Sequence, residues 1–201
     1  MKRCTIVMAD AGPFNSLWVA GRLDLLLRLD MRIVVVDAVY DEMTSDPAYL
    51  KDREVKAFID TNQPPFIVET TDIGTMERTK RAEGAKLKKN AGELAIVDFM
   101  SSEDGLSAYV AAGDPVAILF KDSGFRVINR PPNLHLISTI GMLHGLERVG
   151  VIESAEEIVR AMTHPTLPGR TASDARKFTD LPGGIDEPAQ IGSAFGPSSP
   201  L

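Results

Sequence analysis

Four acidic side chains stand where predicted strands end or predicted helices begin, namely Asp10, Glu42, Glu93 and Asp122. Asp10 and Asp122 follow short apolar runs that are typical of buried strands, and Glu42 follows another such run by about one helical turn. Glu93 lies in the first turn of a predicted helix. Because the carboxyl ends of parallel strands meet at one edge of a sheet, where α/β proteins bind ligands, we expect the four carboxylates to converge there.

Carboxylates gathered at one edge need a positive partner. At low dielectric they repel one another by on the order of several kcal/mol unless they are protonated or neutralised by a cation. No histidine or cysteine stands near them in the sequence. Since oxygen ligands alone favour Mg2+ or Mn2+ over zinc, the pattern predicts a site for Mg2+ (or Mn2+).

Each acid also has a purely structural interpretation, and the sequence leaves these alternatives open. Asp10 could cap the helix that follows it, and Glu42 could be an exposed helical acid. Glu93 stands at capping-box spacing from Asn90, and Asp122 precedes residues suited to a turn. The joint pattern of four acids is more specific than any one of them.

A basic segment interrupts an otherwise acidic chain of formal net charge -6. Between Met76 and Asn90 it has a local excess of four positive charges. Its basic residues are Arg78, Lys80, Arg81, Lys86, Lys88 and Lys89. The net charge argues against binding a polyanion by bulk electrostatics, but the segment can be either a solvated helix face or a local phosphate-binding surface.

Apolar strands alternate with amphipathic helices along the chain. The predicted strands cover residues 5–9, 31–37, 66–70, 116–120 and 134–138. The predicted helices cover 13–29, a segment starting near Pro47, 75–89, 90–100, 139–149 and a last one that ends near Met162. Ser154 and Glu157 form a second capping-box pair. This alternation predicts an α/β fold with a mainly parallel sheet.

The C-terminal part of the chain differs in composition from the rest. Beyond His164, prolines and glycines are scattered among polar residues without apolar periodicity. We therefore predict one domain over residues 1–165 and a disordered Pro/Gly-rich tail over 166–201. Cys4 is the only cysteine, which excludes an internal disulfide. With no long apolar run and no signal-peptide pattern, we expect a cytoplasmic protein that does not enter a membrane.

The motifs around the four acids resemble the PIN domain, as found in VapC-like ribonuclease toxins of type II toxin-antitoxin pairs. The similar segments are 10–14, 21–26, 35–43, 92–95, 122–126, 141–143 and 150–152. They read DAGPF, GRLDLL, VVDAVYDEM, GELA, DSGFR, GML and GVI, and together they cover roughly residues 4 to 163. Asp10, Glu42, Glu93 and Asp122 match the four acidic positions of that family.

The resemblance implies a three-layer α/β/α sandwich that cleaves RNA phosphodiester bonds with a divalent metal. The four acids would be the catalytic and metal-binding residues. The RNA contacts would come from Arg78, Lys80, Arg81, Lys86, Lys88 and Lys89, with Ser123 and Arg126 as further candidates. The implied partners are an RNA substrate and a small antitoxin protein, and we also expect a homodimer.

Two positions depart from the family pattern. Gly12 stands where a hydroxyl residue is common, and Lys121 precedes Asp122 where a pair of acids is common. Lys121 lowers the negative charge of the site. These departures motivate an alternative, a catalytically weakened PIN-fold interaction module, and an RNA-processing nuclease without an antitoxin is a further alternative.

Overall fold

The computed structural model describes residues 5–8, 10–85, 90–102, 104–111, 113–120 and 133–175. In chain order its elements are β1 (Thr5–Met8), α1 (Gly12–Ala20), α2 (Asp24–Leu27), β2 (Arg32–Val36), α3 (Asp37–Thr44), α4 (Leu50–Thr61), β3 (Phe66–Glu69), α5 (Asp72–Ala82), α6 (Ala91–Ser101), a 3-10 turn (Leu106–Ala108), β4 (Val116–Phe120), β5 (Leu134–Ser138), α7 (Thr139–Arg148) and α8 (Ala155–Thr163). Of these helices, none has the length and apolar character needed to cross a membrane.

The five described strands form one sheet in the order β3-β2-β1-β4-β5. Every neighbouring pair is parallel, and Met8 of the central strand lies beside Val35 on one side and Leu119 on the other. Residues 33–36 of β2 are all fully buried, as expected for a strand covered on both faces. The predicted α/β fold with a parallel sheet is confirmed.

The strand order creates a topological switch point between β1 and β4. From β1 the chain moves outward to β2 and β3, whereas from β4 it moves outward to β5 on the other side. Connections that diverge in this way leave a crevice at the carboxyl ends of the two strands, which is where open α/β sheets bind ligands. Asp10 follows the last residue of β1 by two positions and therefore lies at this crevice.

Residues that point to opposite faces of β3 contact different helices and turns. Phe66 packs against Phe14 of α1 and Phe58 of α4, with ring centroids 5.8 and 5.4 Å away. Glu69 lies three residues later and so points to the other face. There it accepts a hydrogen bond from the hydroxyl of Tyr109, which follows the 3-10 turn. The core is thus built on both sides of the edge strand β3.

The single helix predicted over 13–29 is wrong, because the structure divides this stretch into α1 and α2. Gly21 adopts a left-handed conformation, with φ of 69°, and its N–H bonds to carbonyls of the last turn of α1. A glycine in this conformation closes a helix readily. The apolar periodicity continues across the break, which is why periodicity alone predicted one element.

The basic helix begins and ends earlier than the predicted 75–89. The Thr71 hydroxyl accepts a hydrogen bond from the Gly74 N–H and starts α5 at Asp72. The helix ends at Ala82, and Gly84 follows with φ of 83°. Residues 86–89, and with them Lys86, Lys88 and Lys89, lie outside the described residues.

The first part of the segment predicted as a tail lies against the domain. The guanidinium of Arg170 stands 4.8 Å from the ring centroid of Trp18 and 3.5 Å from Glu54, which also accepts a hydrogen bond from the Trp18 indole. Leu167 packs against Gly21, since a Cβ there would stand 2.5 Å from its Cδ1. Residues up to 175 thus extend the fold over α1 and α4, and residues 176–201 lie outside the described part of the chain.

Candidate functional site

Asp10 combines its position at the switch point with a local structural role. Its Oδ1 accepts a hydrogen bond of 2.5 Å from the N–H of Gly12, the first residue of α1. The N-cap position itself is occupied by Ala11. The carboxyl group is half-buried. The capping interpretation is therefore correct in part, because one oxygen of Asp10 satisfies an amide of the helix that begins at the crevice.

The packing of α3 on α6 places Glu42 against Gly92, the residue that precedes Glu93. Gly92 lets the two helices approach, since a Cβ built on it would stand 3.1 Å from Val39 Cγ2 and 3.8 Å from Glu42 Oε2. The carboxylate of Glu42 thus lies against the first turn of α6, in which Glu93 is the next residue. Both side chains are exposed, so solvent reaches them.

The donor atoms of the predicted metal site fit an oxygen-preferring cation, but the described acids do not complete a site. No group of three or more His, Cys, Asp or Glu side chains that could hold a metal ion occurs among the described residues. Asp10 therefore does not join Glu42 and Glu93 in a three-ligand group. Asp122 follows β4 by two positions and lies, with Lys121, Ser123 and Arg126, outside the described residues, so the four-acid site stays a prediction.

The predicted capping box at the start of α6 is wrong. The Asn90 side chain makes no hydrogen bond to the first turn of the helix. Glu93 is thus not one half of a reciprocal cap, and the structural alternative for this residue loses its main support. By contrast, Ser154 does cap α8, because its hydroxyl accepts a hydrogen bond of 3.2 Å from the Glu157 N–H.

Asp37 is a buried carboxylate to which the sequence interpretation assigned no role. It follows β2 directly and is only 3% exposed. Its Oδ1 accepts hydrogen bonds from the Thr71 hydroxyl at 2.8 Å and from the Ala38 N–H at 2.9 Å. Its position at a strand end is the signal that singled out Asp10, and the same reasoning would have found it.

Arg78 pairs with two carboxylates of α3. Its Nη2 stands 2.5 Å from Asp37 Oδ2, and its Nη1 stands 3.4 Å from Asp41 Oδ2. The first contact is an ion pair without the alignment of a hydrogen bond. Burial acts to lower the pKa of Arg78, but the two facing carboxylates outweigh it and raise the pKa above its ordinary value. The pKa shift therefore favours the charged guanidinium, which is also the ordinary state of arginine in proteins.

Of the other described basic residues of α5, Lys80 pairs with an acid of its own helix. Lys80 stands 3.2 Å from a carboxylate oxygen of Glu77, which is 4% exposed. Arg81 is half-buried. The basic face predicted to hold RNA thus contains side chains that neutralise acids of the same domain, and its role as an RNA contact stays a prediction.

Comparison with known proteins adds no relative to this description. No family model matches the chain, and no curated protein or solved structure matches it either. The geometry of the carboxyl edge therefore carries the functional interpretation.

Proposed function

We propose that this protein is a Mg2+- or Mn2+-dependent endoribonuclease with a PIN-like fold. We further propose that it acts in the cytoplasm, as the homodimeric toxin of a toxin-antitoxin pair. The observation that carries the proposal is the location of Asp10 at the switch point of an all-parallel sheet, beside the carboxyl end of β4. The placement of Glu42 against the first turn of α6 supports it further.

The three-layer α/β/α arrangement belongs to this proposal. Phe66 and Glu69 point to opposite faces of β3, and their partners come from α1 and α4 on one face and from the turn after α6 on the other. α6 also contacts β2 and α3. Helices on both faces of a parallel sheet are the usual way to bury such strands.

Asp10 and Glu93 would be the central ligands of the metal, with Glu42 and Asp122 completing the site directly or through water. When bound, the divalent cation supplies an activated water and neutralises charge on the scissile phosphate. The carboxylates hold and orient, and none of them needs to act as a nucleophile. Basic residues between Lys80 and Lys89, with Ser123 and Arg126, would hold the RNA backbone.

The test is cleavage of a structured RNA in the presence of Mg2+. We expect Asp10→Asn and Glu93→Gln each to lower the rate by about 10- to 100-fold or more, because loss of a ligand costs at least as much as loss of a group that supports one. Asp30→Asn is the matched control, since Asp30 is exposed, lies at the opposite edge of the sheet and has a φ of 50° that asparagine tolerates. Activity that survives EDTA, or that Asp10→Asn leaves intact, would refute the proposal.

A second candidate is a PIN-fold interaction module that has lost catalysis. It is favoured by the absence of a three-acid group among the described residues, and by exposed apolar side chains on neighbouring helices, Met76 of α5 and Leu94 and Val97 of α6. A Mn2+ titration separates the two candidates. Saturable binding that Asp10→Asn abolishes supports the nuclease, whereas no binding together with tight association with a protein supports the module.

A further inference from the structure

The position of the exposed Glu42 side chain depends on the helix that carries it. Glu42 is carried by α3, a helix of little more than two turns. The helix is held against α6 by the close contact between Val39 and Gly92. It also packs on α4, where the Tyr40 hydroxyl donates a hydrogen bond to Asp60, and on α5, where Arg78 faces Asp37 and Asp41.

Arg78 joins α5 to α3 at two points of α3. It pairs with Asp37 in the first turn and with Asp41 one turn later, immediately before Glu42. Gly74 permits the close approach of the helices, since a Cβ there would stand 2.0 Å from Asp37 Oδ1. Thr71, at the cap of α5, donates to the same carboxylate. Contacts with the buried carboxylate of Asp37 thus hold α3 and α5 together.

We propose that Arg78 is a positioning residue for Glu42 rather than a contact to RNA phosphate. A planar guanidinium can reach Asp37 and Asp41 at once, whereas an ammonium on a single stem cannot. Its side chain is 40% exposed, but both described terminal nitrogens face carboxylates of the protein. The effect of Arg78 on cleavage rests on the proposed function, whereas the anchoring of α3 by Arg78 does not.

The deciding variant is Arg78→Lys, which keeps the positive charge and removes the double contact. We expect kcat to fall by about 10-fold or more while KM for RNA stays within about 2-fold, because misplacement of a reacting group costs catalysis rather than binding. Backbone hydrogen exchange of α3, measured without RNA or metal, should become faster. Arg160→Lys is the matched control, since the ion pair that Arg160 makes among the described residues is to an exposed glutamate of its own helix.

A phosphate contact gives the opposite results and would overturn the proposal. Arg78→Lys would then retain activity, and Arg78→Gln would raise KM and lower the salt dependence of RNA binding by about one counterion, with exchange of α3 unchanged.

Arg78→Gln alone leaves the buried Asp37 without its ionic partner and is expected to destabilise the fold. The double variant Asp37→Asn/Arg78→Gln removes both charges, and we expect it to restore slow exchange in α3. If the effects of the two substitutions on hydrogen exchange in α3 simply add, the proposal fails.

The readouts keep this inference separate from the proposed function. If wild-type protein cleaves no RNA and binds no Mn2+, the nuclease proposal fails, and hydrogen exchange still decides whether Arg78 anchors α3. If the protein cleaves RNA and exchange in α3 is the same in Arg78→Lys as in wild type, the nuclease proposal stands and the positioning role is refuted.

Discussion

Tyr109 illustrates how single polar side chains are satisfied at the edge of this fold. Its hydroxyl donates to Glu69 at the carboxyl end of β3, and its ring lies 5.3 Å from the guanidinium of Arg32, which also donates to the Tyr109 carbonyl. Burial, followed by the hydrogen bond to and the charge of Glu69, raises the pKa of Tyr109 to about 12. The neutral phenol is therefore the form that the folded protein favours.

This shift predicts an alkaline loss of stability that depends on Tyr109. Because folding raises the pKa of Tyr109, its neutral phenol stabilises the folded state in full below the unfolded pKa of about 10. This stabilisation is lost as the pH rises toward about 12, the pKa in the folded protein. The free energy of unfolding of wild type should exceed that of Tyr109→Phe by about 1 kcal/mol at pH 8, and the difference should shrink between pH 10 and 12. Denaturant unfolding across this range measures it.

Glu69→Gln is the control for the origin of the shift. The variant keeps a hydrogen-bond acceptor and removes the charge, so titration of Tyr109 followed by ultraviolet absorbance should move to lower pH. A titration that does not move would show that burial alone raises the pKa.

At the scale of elements, sequence patterns located the strands better than the helix ends. β4 and β5 have the predicted bounds, because continuous apolar runs bordered by turn residues permit little else. The helix predicted over 13–29 is divided, and the predicted cap at Asn90 is not formed. Both errors concern the ends of helices, which depend on the conformation of one glycine or one side chain that the pattern does not specify.

The candidate site shows the same division between local and long-range information. Asp10 could be located from sequence, since it follows a strand and the carboxyl edge of a sheet is a general rule. The pairing of Arg78 with Asp37 could not, because it joins residues 41 positions apart whose contact depends on the approach of α5 to α3 at Gly74. A basic run seen without its partners indicated either a solvated helix face or a phosphate-binding surface, and neither interpretation includes a buried ion pair.

Gly21 gives a test of the division between α1 and α2. In Gly21→Ala the new methyl group meets Leu167, and the left-handed backbone is strained, so we expect a loss of about 1–2 kcal/mol in the free energy of unfolding. Gly150→Ala is the matched control, because Gly150 ends α7 with φ of 75° and has nothing within 4 Å of the new methyl. Gly21→Ala should lose more, and equal losses would show that the Leu167 contact is unimportant.

At the scale of the whole molecule, residues 165–175 join the two helices that cover one face of the sheet. Arg170 contacts Trp18 of α1 and Glu54 of α4, and Gly169 lies close enough to Leu50 that a Cβ there would stand 2.6 Å from its Cδ2. A cation over an indole contributes about 0.5–2 kcal/mol, depending on its exposure. Composition could not predict this contact, because it describes only the average character of the segment and a single arginine is enough to make the contact.

Trp18 is the only tryptophan of the chain and reports directly on this contact. We expect Arg170→Ala to shift its fluorescence emission to longer wavelength, since the indole becomes accessible to water, and to lower the free energy of unfolding by about 1 kcal/mol. Arg160→Ala, a change on the exposed surface of α8, should alter neither quantity. An unchanged emission spectrum in Arg170→Ala would show that the segment does not cover Trp18 in solution.

The strand order has a consequence for synthesis on the ribosome. β1 can pair with β2 as soon as residue 36 has emerged, but its other edge must wait for β4, which begins at Val116. At ordinary translation speed this interval lasts roughly ten seconds. During that time the nascent chain presents an unpaired central strand, a template on which a neighbouring chain can add. The topology that creates the crevice beside Asp10 thus also sets the period in which the growing polypeptide depends most on chaperones.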